Sequence, residues 1–205
     1  MPRRTGSQRL EARKARLERH ANETNPGNVL DAAARFLETR SRSIEELRRH
    51  LVGAAFPPPL IEQAIARLVE LGMLDDRAFA AAWVESRDRS RPRGQTALRR
   101  ELALKGVDRD TAESVLADRT VAALDGGPVG SEYGDRGRFG DRAASADEAA
   151  AERLLRKGRG ALLRVEDPRA RRRRAYAILA RNGFDPEVCR EVSVRFLSED
   201  AEPDD

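Results

Sequence analysis

The stretch that decides the fold is LVELGMLDDRAFAAAWVESRDRSRPRG, residues 68–94. A helical apolar pattern ends at Gly72, the aspartates Asp75 and Asp76 follow, and a second helical pattern runs on to RPRG. A glycine just after a helix and a carboxylate just before one are common stop and start signals. The stretch therefore predicts two helices joined by a short turn, with Asp75 or Asp76 as the N-cap of the second.

Two aromatic residues lie on one face of that second predicted helix. Phe79 and Trp83 are four residues apart, a spacing that favours packing in a shared core over a platform on which bases stack. We interpret both rings, together with Asp75 and Asp76, as structural anchors. Arginines then crowd the exit of the helix, at Arg87, Arg89, Arg91 and Arg93.

Similar start and stop signals divide the rest of the chain into short helices, and almost nothing indicates a strand. Ser43 with Glu46, and Ser145 with Glu148, have the spacing of a capping box, in which the serine accepts from a backbone amide and the glutamate reaches back to another. Further N-caps are predicted at Asp108, Asp167 and Asp185. Further helix ends are predicted at Gly106 and Gly183.

The helical segments also repeat one another. LRRHLVGAAF, from Leu47, aligns with LRRELALKGV, from Leu98, 51 residues further on, and AYAILARNGF, from Ala175, aligns another 77 residues on. A small unit of three helices cannot bury its apolar face alone, so neighbouring units must stack. The predicted fold is all-α: three tandem three-helix repeats that form an elongated, curved array.

Glycine content and charge set the boundaries of these repeats. Residues 125–144 are rich in glycine and lack apolar periodicity, which is typical of a flexible linker. The last eight residues carry five carboxylates. We therefore predict a basic flexible arm at 1–27, repeats at 28–73 and 74–124, the linker at 125–144, a third repeat at 145–197 and an acidic tail at 198–205.

The charge distribution indicates a polyanionic partner. The net charge is only +4, but residues 153–174 hold ten basic and two acidic residues. Such a basic block beside an acidic tail is typical of a protein that meets a polyanion. The single Cys189 excludes an internal disulfide, and the chain lacks both a secretory signal and an apolar run of membrane length. We expect a cytoplasmic monomer that does not contact a membrane.

Signals for catalysis are missing from the sequence. It contains no glycine-rich phosphate loop followed by lysine, and its carboxylates fall at capping positions. The two histidines, His20 and His50, are isolated, and no Cys/His grouping has the spacing of zinc ligands. We predict a protein that is not an enzyme and binds neither cofactor nor metal. A metal-dependent nuclease remains open, since separate carboxylates can converge in a fold.

The central motifs resemble a known family. LDDRAFA, residues 74–80, is preceded by ARLVELG and followed by LRRELALKGVDRDTAESVL. In these elements and their order the chain resembles the RecX family, regulatory proteins that modulate the RecA recombinase; the likeness covers residues 28–119 and resumes more weakly over 147–197. It implies an all-helical repeat protein that lodges in the groove of the RecA–DNA filament and limits its growth or activity. The implied roles are in DNA repair, homologous recombination and the SOS response.

The partners implied are the RecA filament and single-stranded DNA, contacted directly or through the filament. Arginine suits such contacts, and five arginines within residues 169–174 exceed what solubility needs, although a solvated face is the alternative. Arg99 and Arg100 are as compatible with a structural role. The third copy has AYAIL in place of the LRR run, so their contacts need not recur there. The predicted contact residues are Arg87, Arg91, Arg93, Arg99, Arg100, Arg169, Arg172, Arg173 and Arg174.

The alternative function is a helix-turn-helix-like transcriptional regulator that binds DNA. A three-helix unit with a short turn can resemble that motif. Its recognition helix would then carry Arg, Asn or Gln directed at base edges. The predicted third helices, LIEQAIARLVEL and TAESVLADRTVAAL, are apolar or acidic instead. The arginines therefore favour backbone and filament contact over base readout.

Overall fold

The computed structural model describes residues 6–125 and 146–199, and the secondary structure in these ranges is helical, without a β-strand. The all-α fold is therefore confirmed. The helices are α1 (Gly6–Ala21), α2 (Pro26–Leu37), α3 (Ile44–Gly53), α4 (Pro58–Glu70), α5 (Asp76–Ser90), α6 (Gln95–Lys105), α7 (Arg109–Asp125), α8 (Ala146–Lys157), α9 (Arg159–Leu163), α10 (Pro168–Arg181) and α11 (Pro186–Glu199). We call α2–α4 the first repeat and α5–α7 the second; α8, α10 and α11 are the three helices of the third repeat, in which the additional short helix α9 joins α8 to α10.

Side-chain caps begin several helices at the predicted residues. Ser43 Oγ accepts from the amide of Glu46 at 3.1 Å, and Asp167 accepts from the first amides of α10 at 2.9 and 3.1 Å. Asp108 and Asp185 cap α7 and α11 in the same way. Ser145 and most of the predicted linker lie outside the described residues.

The predicted capping box at the start of α3 is only half formed. The carboxylate of Glu46 does not reach back to the helix start; it accepts from Lys105 Nζ at 2.7 Å and from Arg40 at 3.2 Å. Two cations compete with one backbone amide for this carboxylate, and charge-assisted bonds are the stronger. The serine half alone therefore caps α3.

The two aspartates of the first joint have different partners. Asp75 Oδ1 accepts from the amides of Arg77 and Ala78 at 2.8 and 3.0 Å, so Asp75 is the N-cap of α5. Asp76 Oδ1 accepts instead from the amide of Ile44, at 2.8 Å, where α3 begins. A side chain of the second repeat therefore satisfies a free amide of the first.

The described chain forms two compact units, residues 6–79 with 104–107, and residues 80–103 with 108–125 and 146–199. In the first unit, α2, α3 and α4 enclose a core that includes the fully buried Val29, Leu47 and Leu51. In the second unit, α8, α10 and α11 enclose a core that includes Leu155, Leu179, Cys189 and Val192. Burial of one such side chain contributes roughly 1.5–3 kcal/mol.

Helix α1 lies within the region predicted as a flexible arm. Near its end the His20 ring stacks on Phe56 with centroids 4.1 Å apart, and His20 Nδ1 lies 2.9 Å from the carbonyl oxygen of Ala54. A carbonyl oxygen only accepts, so Nδ1 carries the hydrogen. The sequence did not predict this helix because Leu10 and Leu17 are its only large apolar residues.

A hydrogen bond to the end of the second helix recurs in every repeat. The acceptors are the carbonyl oxygens of Ala54, Lys105 and Asn182, spaced by the same 51 and 77 residues as the sequence repeat. Their donors all come from earlier in the chain: His20 Nδ1, the Ser43 hydroxyl and the Gly94 amide, respectively. An equivalent backbone atom is therefore the acceptor in all three repeats.

A second recurring contact lies at the start of the second helix. Asp76 accepts from the first amide of α3, as described above, and Asp147 Oδ2 accepts from the amide of Gln95, which begins α6, at 2.9 Å. In both cases the carboxylate belongs to the first helix of the following repeat. An aspartate of the next repeat therefore stabilises the positive end of the helix.

Candidate functional site

Two predicted contact arginines near the exit of α5 have partners inside the second unit. Arg87 Nε donates to Glu101 at 2.6 Å, and its guanidinium carbon lies 4.3 Å from the centroid of the Trp83 ring. Arg93 donates to the side-chain oxygen of Asn182 at 2.6 Å. These guanidinium groups connect helices of the fold, which leaves fewer of their donors for a ligand.

Arg99 belongs to an ion pair that recurs in the repeat. It donates to both oxygens of Glu113, at 2.6 and 3.0 Å, and 51 residues earlier Arg48 donates to Glu62 at 2.8 and 3.0 Å. The hydrogen bond with Glu113 raises the pKa of Arg99, and the hydrogen bond from Arg99 lowers the pKa of Glu113. The first arginine of each LRR run thus serves a two-pronged pair between the second and third helices.

Six of the nine predicted contact arginines are exposed to solvent. None of these six forms an ion pair within the part of the chain that the structure describes. They are Arg91, Arg100, Arg169, Arg172, Arg173 and Arg174. Four of these unpaired cations therefore lie together on α10. Arg91 and Arg100 lie outside that helix.

The arginines of α10 occupy an unfavourable place for cations. Arg169 lies in the first turn of the helix, where the dipole disfavours a cation, and it stands three and four residues before Arg172 and Arg173. Both the dipole and like-charge repulsion therefore act against this cluster. Arg171 differs, because its Nε donates to the carbonyl oxygen of Val165 at 2.9 Å.

An open pocket of about 540 Å³ lies on this face of α10. It is lined by Arg169, Arg172, Arg173 and Tyr176. Sequence reasoning missed Tyr176, although its position seven residues after Arg169 places it on the same face of the helix. The pocket thus combines three cations with one aromatic ring.

The predicted aromatic anchors differ in burial. Phe79 is 4% exposed, whereas Trp83 is half-buried and donates its Nε1 hydrogen to Glu101 at 3.0 Å. Because Arg87 also lies over the Trp83 ring, that ring is already engaged within the protein.

A buried ion-pair network in the second unit was not predicted. The side chain of Arg119 is 8% exposed and contacts Asp88 at 2.8 Å and Asp147 at 2.7 Å. Burial acts to lower the pKa of Arg119, but the bonds and charges of the two aspartates raise it, so the group stays cationic. No local pattern could reveal this network, since its members are far apart in the chain.

The described residues hold no group of three or more His, Cys, Asp or Glu side chains able to bind a metal ion. Cys189 is buried, and burial raises the pKa of its thiol. His50 stacks on Phe36 with ring centroids 3.9 Å apart. Among the described helices, none is long and apolar enough to cross a membrane.

Known proteins are similar to this chain in sequence, and family models match its first two repeats. The family models "RecX, first three-helix domain" and "RecX, second three-helix domain" match residues 30–68 and 75–116. Regulatory protein RecX of Mycobacterium ulcerans (strain Agy99) is 35% identical over 165 residues, 80% of this chain and 82% of the relative. Regulatory protein RecX of Chlorobium phaeobacteroides (strain BS1) is 30% identical over 170 residues, 83% of this chain and 94% of the relative.

Solved structures share the fold at low sequence identity. The crystal structure of RecX from Lactobacillus salivarius matches with a TM-score of 0.65 and 16% identity, over 84% of this chain and 97% of that one. A crystal structure of regulatory protein RecX matches with a TM-score of 0.62 and 16% identity, over 94% and 80%. With the sequence matches, these findings lead to one conclusion: the chain belongs to the RecX family of regulatory proteins.

Proposed function

We propose that this RecX-family chain is a non-catalytic modulator of the RecA recombinase. It binds the RecA filament on single-stranded DNA and limits the extension or activity of that filament in recombination and DNA repair. It acts in the cytoplasm as a monomer. The observation that carries the proposal is the cluster of exposed, unpaired arginines on α10, since a filament on DNA is a polyanion.

We assign two different roles to the predicted contact residues. Arg169, Arg172, Arg173 and Arg174 project from one helix and are the principal contacts in this proposal. Arg91 and Arg100 are exposed and supply secondary contacts. In contrast, we assign a structural role to Arg87, Arg93 and Arg99, whose hydrogen bonds stabilise the packing of helices within the second unit.

Base-specific regulation of transcription is less well supported. The third helix of the first repeat, α4, exposes Glu62 and Glu70, which pair with Arg48 at 2.8 Å and Arg67 at 3.1 Å. A recognition helix needs Arg, Asn or Gln free to reach base edges. Acidic residues on this helix would instead be repelled by phosphates.

The proposed function is tested with RecA filaments assembled on single-stranded DNA. The full chain is sedimented with these filaments at low salt, and filament growth from RecA nuclei is followed with and without it. We expect the chain to sediment with the filaments and to slow their growth. No binding at low salt would overturn the proposal, and binding without any change in growth or recombinase activity would overturn its modulatory part.

A further inference from the structure

The third repeat differs from the other two at the positions of a recurring ion pair. Arg48 with Glu62, and Arg99 with Glu113, form equivalent pairs in the first and second repeats. The residues 77 positions after the second pair are Tyr176 and Arg190. The third repeat thus has an aromatic ring in place of the guanidinium group and a cation in place of the carboxylate.

Helix α10 also starts earlier than its counterparts. Gln95 begins α6, and the equivalent residue 77 positions on is Arg172, yet α10 begins at Pro168. The extension over residues 168–171 adds about one helical turn. That turn places Arg169 on the same face of the helix as Arg172, Arg173 and Tyr176. The added turn and the missing ion pair therefore both change the same surface of α10.

The ring of Tyr176 is available to a ligand. Within residues 6–125 and 146–199, the other Phe, Tyr and Trp rings are either buried or stacked against a histidine or an arginine. Tyr176 is half-buried against the core of the second unit, without a ring partner or a hydrogen bond to its hydroxyl among the described residues. The ring therefore packs in part against the core, and it also lines the pocket.

We propose that Arg169, Arg172, Arg173 and Tyr176 form a nucleotide subsite that binds single-stranded DNA directly. A base stacks on Tyr176 while the arginines bind the adjacent phosphates. The pocket of about 540 Å³ is open to solvent and lies along one helix, so an extended strand can reach both the ring and the arginines. Guanidinium groups match phosphate in geometry, and base stacking on aromatic side chains is the usual device for binding single strands without sequence preference.

The aromatic ring favours a single strand over other polyanions. The bases of a duplex stack on one another and leave no face for Tyr176. An acidic protein surface would need only the arginines, and the exchange of a paired arginine for Tyr176 would be unexplained. The subsite deepens the proposed function and rests on it only in supposing that the bound strand belongs to a RecA filament.

The subsite is tested with variants of the full chain and two DNA probes. One probe is a labelled oligothymidylate, and the other is an abasic strand of the same length and phosphate number. Wild type and Tyr176→Phe should bind the thymidylate about tenfold more tightly than the abasic strand, the effect of one stacked base. Tyr176→Leu keeps an apolar side chain against the core, and it should bind both strands equally.

The salt dependence of binding separates the contribution of base stacking on Tyr176 from that of phosphate binding by the arginines. Tyr176→Leu should retain the wild-type slope of log affinity against log salt, because the arginines still bind the phosphates. The Arg169→Gln/Arg172→Gln/Arg173→Gln variant should have a shallower slope, by roughly 0.7 for each phosphate of a single strand that the variant no longer neutralises. Helical circular dichroism confirms that each variant is folded.

The outcomes separate this inference from the proposed function. Equal binding of the two strands by wild type, or undiminished discrimination by Tyr176→Leu, would overturn the subsite. Loss of RecA filament binding in the triple arginine variant, with oligonucleotide binding intact, would show that the surface docks protein; the subsite would fail and the proposed function would stand. If the chain binds the thymidylate more tightly than the abasic strand but does not affect RecA filaments, the subsite would stand and the proposed function would fail.

Discussion

At the scale of single residues, the position that follows the second helix of each repeat shows what the fold requires. Ala55, Gly106 and Gly183 occupy this position, and their φ angles are +67°, +83° and +79°. The backbone must turn into the left-handed region there so that the chain can enter the third helix. Glycine does so without strain, whereas the Cβ of Ala55 opposes it.

Replacement of Ala55 by glycine should therefore stabilise the protein. Relief of left-handed strain contributes about 1–2 kcal/mol, and the greater freedom of glycine in the unfolded chain takes back about 0.4–1 kcal/mol. We expect a net gain of roughly 0.5–1 kcal/mol in the free energy of unfolding, measured with urea. Gly183→Ala is the matched control and should destabilise, because its Cβ would collide with Ala97. A loss of stability in Ala55→Gly would contradict this explanation.

Trp83 is the residue whose structural and binding roles are easiest to separate. Its half-buried ring contacts Arg87 and Glu101, so Trp83→Ala should lower the free energy of unfolding by roughly 2 kcal/mol, less than the 3–5 kcal/mol typical of a fully buried aromatic. Affinity of the folded variant for RecA filaments should be unchanged. A variant with wild-type stability and greatly reduced affinity would identify Trp83 as a contact residue.

At the scale of helices, the recurring Arg–Glu pair links the second helix of a repeat to the third. The sequence showed the repeated LRR run, but it could not show that the first arginine of the run is paired, because its partner lies 14 residues further on in another helix. Leu47, Leu98 and the helix ends could be predicted because their signals are local. Ion pairs that form only when two helices pack together could not be predicted, because no local signal in the sequence indicates them.

The pairs should make stability depend on pH in the acid range. The hydrogen bond from Arg48 lowers the pKa of Glu62, and the one from Arg99 lowers that of Glu113. A lowered folded-state pKa contributes stability that is present above the unfolded value of about 4.3 and is lost as the pH falls through the folded value. Wild type should therefore lose more stability between neutral pH and pH ~3 than Glu62→Gln/Glu113→Gln.

Urea unfolding at several pH values measures this difference. Glu38→Gln is the control, since Glu38 is exposed and forms no ion pair within the described chain. It should follow the wild-type pH dependence. If the double variant also follows that dependence, the two pairs do not contribute to the stability of the fold.

At the scale of the whole molecule, the features that recur in every repeat could be predicted from the sequence, whereas the site at which the third repeat differs could be predicted only in part. The three tandem repeats were predictable, since caps, glycines and leucines recur with constant offsets. The candidate site was predictable only as an arginine cluster. Tyr176 could not be predicted as a site residue because, in the sequence, it is simply the residue that interrupts a repeated LRR run. Its place in the pocket beside Arg169, Arg172 and Arg173 depends on the fold.

The central claim, that α10 contacts the RecA filament, is tested most directly by the salt dependence of filament binding in two variants of equal charge. One has glutamine at Arg169, Arg172, Arg173 and Arg174, which preserves helix propensity, and the other has it at Arg3, Arg4, Arg9 and Arg13. We predict that the α10 variant binds more weakly and with a shallower salt slope, while the N-terminal variant stays close to wild type. A greater loss of affinity in the N-terminal variant would contradict the account and place the contact surface there.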